Sequence, residues 1–137
     1  VLQTLVALAL FDPLGILPGR AITTGAWGLP DRIAVVRSLP GTLLVEDSGL
    51  LVASGRTPVV DDLFLWSRLQ DGRRDERLLA TVRDGAFSAI VSETDLARLD
   101  AAPLWARQRW HDSLVNAVLS RYRLDHSEAG IFIYRPR

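Results

Sequence analysis

Between positions 12 and 30 the chain carries Pro13, Gly15, Pro18, Gly19, Gly25, Gly28 and Pro30, seven helix breakers in nineteen positions. Proline lacks a backbone donor and disfavours helix in the residue before it, and glycine loses the most freedom on ordering, so no regular helix crosses such a stretch. This divides the chain into an apolar opening over 1–11, a linker over 12–29 and a body over 30–137 that must supply the fold. With 137 residues in all, 48% apolar and 23% charged, the body has the size and composition of one globular domain, and wholesale disorder is excluded.

The opening segment VLQTLVALALF holds only Gln3 and Thr4 as polar residues. As a helix it would span about 16 Å, roughly half of a bilayer core. It has no basic leader, and Asp12-Pro13 follows where a signal peptide would show small residues at a cleavage site. Two readings stay open: a buried core element, or the last turns of a transmembrane helix. Methionine is absent even at position 1, which favours the second. Trp27 in the linker suits either a membrane interface or a loop packed on the domain.

Sixteen basic residues balance sixteen acidic ones, whereas a protein that tracks nucleic-acid phosphates carries a basic excess; no nucleic-acid partner is expected. All the basic residues are arginine, so lysine Schiff-base chemistry and a P-loop lysine are excluded. The absence of cysteine removes disulfides, zinc–thiolate sites, iron–sulfur clusters and a thiol nucleophile.

From Pro30 the pattern becomes regular. A short helix with Ile33, Val36 and Leu39 on one face stops at Pro40-Gly41. Thr42 to Val45 reads as a buried strand, and Leu50 to Ala53 as a second apolar run closed by Ser54-Gly55. Val59 to Leu69 has helical spacing through Leu63 and Trp66, with Asp61 and Asp62 suited to its first turn. Asp75 is placed to cap a helix burying Leu78, Leu79 and Val82. Phe87 to Val91 reads as a buried strand, and Thr94 or Asp95 caps a turn over Leu96 to Leu99. One long helix is expected over Trp105 to Arg121, with Trp110, Leu114, Val118 and Tyr122 on a stripe. Asp125 to Glu128 reads as a polar turn and Ile131 to Tyr134 as a terminal strand. Strands alternating with helices imply a small α/β layered domain with a mostly parallel sheet flanked by helices.

In an open α/β sheet, ligands collect beyond the carboxyl ends of the strands. Glu46-Asp47 and Ser92-Glu93 occupy such ends, and Arg56 and Asp61-Asp62 follow the second apolar run. Glu46, Asp47, Arg56, Asp61, Asp62 and Glu93 are therefore the candidate ligand-binding residues. Paired carboxylates can hold a hard cation or divide acid and base roles; equally, strand-end acids cap turns and helices, and their spacing matches no metal signature. His111 beside Trp110 and His126 in a polar stretch lack the partners of a triad, and two histidines 15 apart make a poor metal site. Arg73, Arg74 and Arg77 suit a solvated face or contact with anionic headgroups. No catalytic residue, metal site or cofactor is expected within these residues.

The order of an apolar helix end, a Pro/Gly linker and TLLVEDSGLLVASGRTPVVDDLFLWSRL resembles the tails of multispanning bacterial membrane glycosyltransferases of the GT-C superfamily, related to mannosyltransferases. The matching positions are Glu46, Asp47, Gly49, Gly55, Arg56, Asp61, Asp62, Phe64 and Trp66. FSAIVSE at 87–93, the Trp110 helix, Tyr122 and the closing IFIYRPR add to it, so the resemblance covers residues 30–137. It implies an extracytoplasmic C-terminal domain that does not itself catalyse. The full-length enzyme would move a sugar from a polyprenyl-phosphate donor to an acceptor, with its catalytic acid upstream and its membrane attachment through the opening helix. The domain would guide the acceptor or serve assembly. Two other readings compete. One is a stand-alone α/β domain binding a small ligand at the strand ends. The other is an assembly tail, which exposure of Trp27, Trp66 or Trp105 would favour.

Overall fold

The computed structural model describes residues 28–69 and 76–137. Val1 to Phe11, Trp27, Asp75, Arg73 and Arg74 lie outside the described residues, and so do the readings attached to them. The elements run α1 (Leu29–Ser38), β1 (Leu43–Val45), α2 (Ser48–Ala53), α3 (Leu63–Leu69), α4 (Glu76–Arg83), β2 (Ala89–Ser92), a 3₁₀ segment (Leu96–Ala101), α5 (Leu104–Arg109), α6 (Asp112–Arg121), β3 (Tyr122–Glu128) and β4 (Ile131–Pro136).

The domain is mixed α/β, with a four-stranded sheet in the order β1-β2-β4-β3. Only β1 and β2 are parallel, with Leu44 opposite Ile90; β2–β4 and β4–β3 are antiparallel. The expectation of a mostly parallel sheet is thereby corrected, and the reason lies in β3. Residues 125–128, expected as a polar turn, belong to an edge strand whose side chains are exposed from Arg123 onward. An edge strand with solvent on both faces has no apolar alternation to announce it. Its turn to β4 is two residues, Ala129 and Gly130, both at positive φ (50° and 73°), the geometry that matches strand twist in a tight hairpin.

Two further expectations change, for the long helix and for the helix start at Val59, and the apolar run to which the sequence assigns no element type takes a definite one. The run Leu50 to Ala53 is a helix: Asp47 accepts a hydrogen bond from the Gly49 amide (2.8 Å) and starts α2 directly after β1. A four-residue apolar run carries no period of its own, so the cap decides its conformation. The long helix breaks at Trp110-His111, where both residues are extended and His111 Nδ1 accepts from the Ser113 amide as the cap of α6. The exposed backbone groups of the break are not orphaned. Ser67 Oγ on α3 donates to the Arg109 carbonyl (2.7 Å) and accepts from the His111 amide (3.2 Å). The predicted stripe still buries Trp110, Leu114, Val118 and Tyr122, because side-chain direction survives the kink. The helix expected from Val59 begins at Leu63, with Asp62 accepting from the Leu65 amide (3.0 Å).

Both sheet faces are covered. Leu44, Ile90 and Tyr134 form one cross-strand row beneath α3, α4, α6 and the 3₁₀ segment. Val45, Val91 and Ile133 form the other beneath α1 and α2. Gly41 joins α1 to β1 at φ +70°, and a Cβ there would stand 2.8 Å from Ser88 Oγ, so the turn admits no side chain. Among the described residues no helix is long and apolar enough to cross a membrane.

Candidate functional site

Because β1 and β2 are parallel, their carboxyl ends share one edge of the sheet, and Glu46 and Glu93 come together there. The Glu46 side chain is 1% exposed. Its Oε2 accepts from Ser92 Oγ and from the Glu93 amide, both at 2.8 Å, and so ties the two strand ends together. Its Oε1 has a single, long contact of 3.4 Å with Arg109. Arg109 also donates to Glu93 Oε2 (2.9 Å), and Arg32 of α1 donates to Glu93 Oε1 (2.7 Å). The result is an alternating chain, Arg32–Glu93–Arg109–Glu46, in which each guanidinium faces a carboxylate. Arg32 Nε reaches on to the Ala129 carbonyl (3.0 Å), so α1, both parallel strands, the β3–β4 turn and α5 meet at this edge.

Above Glu46 opens a cleft of about 370 Å³, lined by Glu46, Asp47, Ser48, Asp62, Phe64, Trp105, Gln108 and Arg109. This is within the range of small-molecule sites. Its walls are the first turns of α2 and α3 and one face of α5. Asp47 and Asp62 each use one carboxylate oxygen as a helix cap, and the other has no partner among the described residues. Phe64 and Trp105 are 39% and 51% exposed, high values for such large rings. Each has an arginine four residues on: Arg68 lies 5.5 Å from the Phe64 centroid and Arg109 5.2 Å from that of Trp105.

The six sequence candidates divide four ways. Glu46, Asp47 and Asp62 line the cleft, and Glu93 stands behind it in the charge chain. Arg56 lies elsewhere: it donates to the Gly41 carbonyl (2.8 Å) and to the Leu39 carbonyl, closing the C-terminus of α1. Asp61 is exposed and outside the lining. Sequence reasoning missed Arg109, Gln108 and Ser48, and gave Trp105 no ligand role. One signal was present: aromatic-x-x-x-Arg recurs at Phe64–Arg68 and Trp105–Arg109, which on a helix puts the cation beside the ring.

The histidines have structural partners. His111 Nδ1 is used by the α6 cap, and His126 sits 3.0 Å from Asp125 on the exposed edge strand, well away from the cleft lining. The hydrogen bonds that His126 and Arg135 give Asp125 hold its carboxyl below the usual range. Burial pushes up both the Tyr122 and the Tyr134 hydroxyls; Tyr134 is raised further by Asp95, to which it donates while accepting from the Leu96 amide. Among the described residues no three His, Asp or Glu side chains are grouped to hold a metal ion. The arrangement can bind: it offers carboxylate acceptors, an amide and two ring surfaces. It presents no nucleophile paired with a base. Trp66, whose exposure would have favoured an assembly surface, is buried, whereas Trp105 is exposed at the cleft.

Comparison of the chain with protein-family models, curated protein sequences and solved structures found no match.

Proposed function

We propose that this chain is an accessory, non-catalytic binding domain whose strand-end cleft receives a sugar. In this reading it is the extracytoplasmic C-terminal domain of a GT-C-type membrane glycosyltransferase. Residues 1–11 then form the end of a membrane helix, the cleft guides the acceptor, and the polyprenyl-phosphate donor and the chemistry are handled by other parts of the enzyme. The observation that carries the binding role is the pairing, at one mouth, of exposed Phe64 and Trp105 with carboxylate oxygens of Asp47 and Asp62 that have no partner among the described residues. A sugar ring has an apolar C–H face that packs on an aromatic ring and a rim of hydroxyl donors that need acceptors. The enzyme class is supported by the order of segments and by the VEDSGLLVASGR and DDLFLW stretches.

A stand-alone small-ligand domain is the second reading, favoured by the fact that the whole cleft lining falls within residues 46–109. Isothermal titration of the 137-residue chain with methyl pyranosides tests the binding role common to both readings. Saturable heat that Trp105→Ala abolishes, with the melting temperature retained, is the expected result. Binding that survives Trp105→Ala would place the sugar elsewhere.

A further inference from the structure

We infer that Arg32 is a positioning residue for the cleft, although it lies on α1 and outside the lining. Through Glu93 it fixes Arg109, and through Arg109 the Trp105 wall, so the cleft is complete only while α1 is seated on the sheet. The inference rests on the proposed reading in taking this cleft as the binding site. Arg109 stands between two carboxylates. It donates to Glu93 Oε2 at 2.9 Å and reaches Glu46 Oε1 only at 3.4 Å. The Glu46 carboxylate does not close that gap, because its Oε2 is held at 2.8 Å by both Ser92 Oγ and the Glu93 amide. The hold on Arg109 therefore belongs to Glu93.

Glu93 is in turn held by Arg32. Its Oε1 accepts from Arg32 at 2.7 Å, and Arg32 is anchored through Nε on the Ala129 carbonyl (3.0 Å). Only 20% of the Arg32 side chain and 19% of that of Glu93 is exposed, so water screens this pair less than a surface bridge. With a guanidinium on each oxygen, the Glu93 carboxylate keeps one orientation. At its other side, the Arg109 guanidinium carbon lies 5.2 Å from the Trp105 ring centroid. Trp105 is 51% exposed, so this stack does for its ring what core packing does for Trp66 and Trp110. Without Arg32, Glu93 turns and Arg109 pairs with Glu46 instead, which shifts the guanidinium against the indole. One arginine thus has two discrete arrangements, and α1 decides between them.

The test compares isotope-labelled native chain with Arg32→Gln before any ligand is added. The Trp105 indole N–H signal should move while those of Trp66 and Trp110 stay in place. Arg32→Lys, which restores a charged donor for Glu93, should bring it back. Glu93→Gln, which keeps the shape and removes the charge, is a second variant expected to move the same signal. In an Arg109→Gln background, adding Arg32→Gln should move Trp105 no further, because the route through Arg109 is already cut. A Trp105 signal unmoved by Arg32→Gln and Glu93→Gln would overturn the inference. So would a shift that persists in the Arg109→Gln background, or one that Arg32→Lys fails to reverse. Affinity for methyl pyranosides should fall roughly threefold in Arg32→Gln and recover in Arg32→Lys. If the native chain binds no pyranoside the sugar reading fails, and the ligand-free indole comparison still decides the role of Arg32.

Discussion

On one face of the sheet the row Leu44, Ile90 and Tyr134 lies under three helices, a 3₁₀ segment and a buried aromatic set of Trp66, Phe87, Trp110 and Tyr122. On the other, Val45, Val91 and Ile133 lie under α1 and α2 with aliphatic side chains alone. The aliphatic face is held by volume. The aromatic face is also held by single polar atoms: Tyr122 accepts from the Phe87 amide (3.2 Å) and Tyr134 from the Leu96 amide (2.7 Å). These hydroxyls satisfy loop backbone that the sheet and helices leave unpaired, so the aromatics fix the loops at the ends of β2 as well as fill space. The cleft opens at the sheet edge where elements from the two faces meet, α2 from the aliphatic side and α3 from the aromatic side. The cleft therefore draws its lining from elements of both faces.

The contrast can be broken most severely at Trp110, which is 1% exposed. Trp110→Ala should cost about 4 kcal/mol, read as a shift in denaturant midpoint. Its indole nitrogen has no partner among the described residues, so Trp110→Phe should lose only the volume difference. Tyr134→Phe keeps the ring and strands the Leu96 amide, for about 1–2 kcal/mol.

The pH dependence follows from the same hydroxyl. The folded-state pKa of Tyr134 is raised above its unfolded value. Its stabilising contribution is therefore complete below about pH 10 and is lost as pH rises further. The urea midpoint should fall as pH rises through the alkaline range in the native chain and fall less in Tyr134→Phe, the remainder coming in part from Tyr122, whose hydroxyl burial also pushes up; equal declines would show that the Tyr134 hydroxyl is not an alkaline sensor. On the aliphatic face Ile133→Val should cost about 1 kcal/mol. A cost like that of Trp110→Ala would dissolve the contrast between the faces. The smallest effect has the opposite sign: Ala129→Asn, relieving a positive φ of 50° in the β3–β4 turn, should gain about 0.5 kcal/mol in the same assay.

Legibility in the sequence followed burial. Every apolar position assigned to the helix over 76–83 is buried, and Leu43 to Val45 and Ala89 to Val91 were found because buried strands read as apolar runs. What escaped was decided by polar contacts between distant residues. The break at Trp110-His111 is held by Ser67, which bonds Arg109 and His111, 42 and 44 positions on, and no local period reports that. The edge strand escaped because it buries little beyond Tyr122, and with it went the sheet's direction. In the site, the strand-end rule located Glu46, Asp47 and Glu93, since it depends only on where strands stop. Among sixteen arginines Arg109 is set apart only by the aromatic spacing it shares with Arg68, and that spacing does not report its pairing with Glu46 and Glu93.

The proposed binding of a sugar in the strand-end cleft can be read from the indole N–H resonances. Trp105 lines the cleft, while Trp66 and Trp110 are buried outside its lining. Titrating isotope-labelled chain with methyl pyranosides should move the Trp105 indole signal saturably, together with the amides of Ser48 and Gln108, and leave the indole signals of Trp66 and Trp110 in place. An unmoved Trp105 signal, with or without shifts elsewhere, would contradict it.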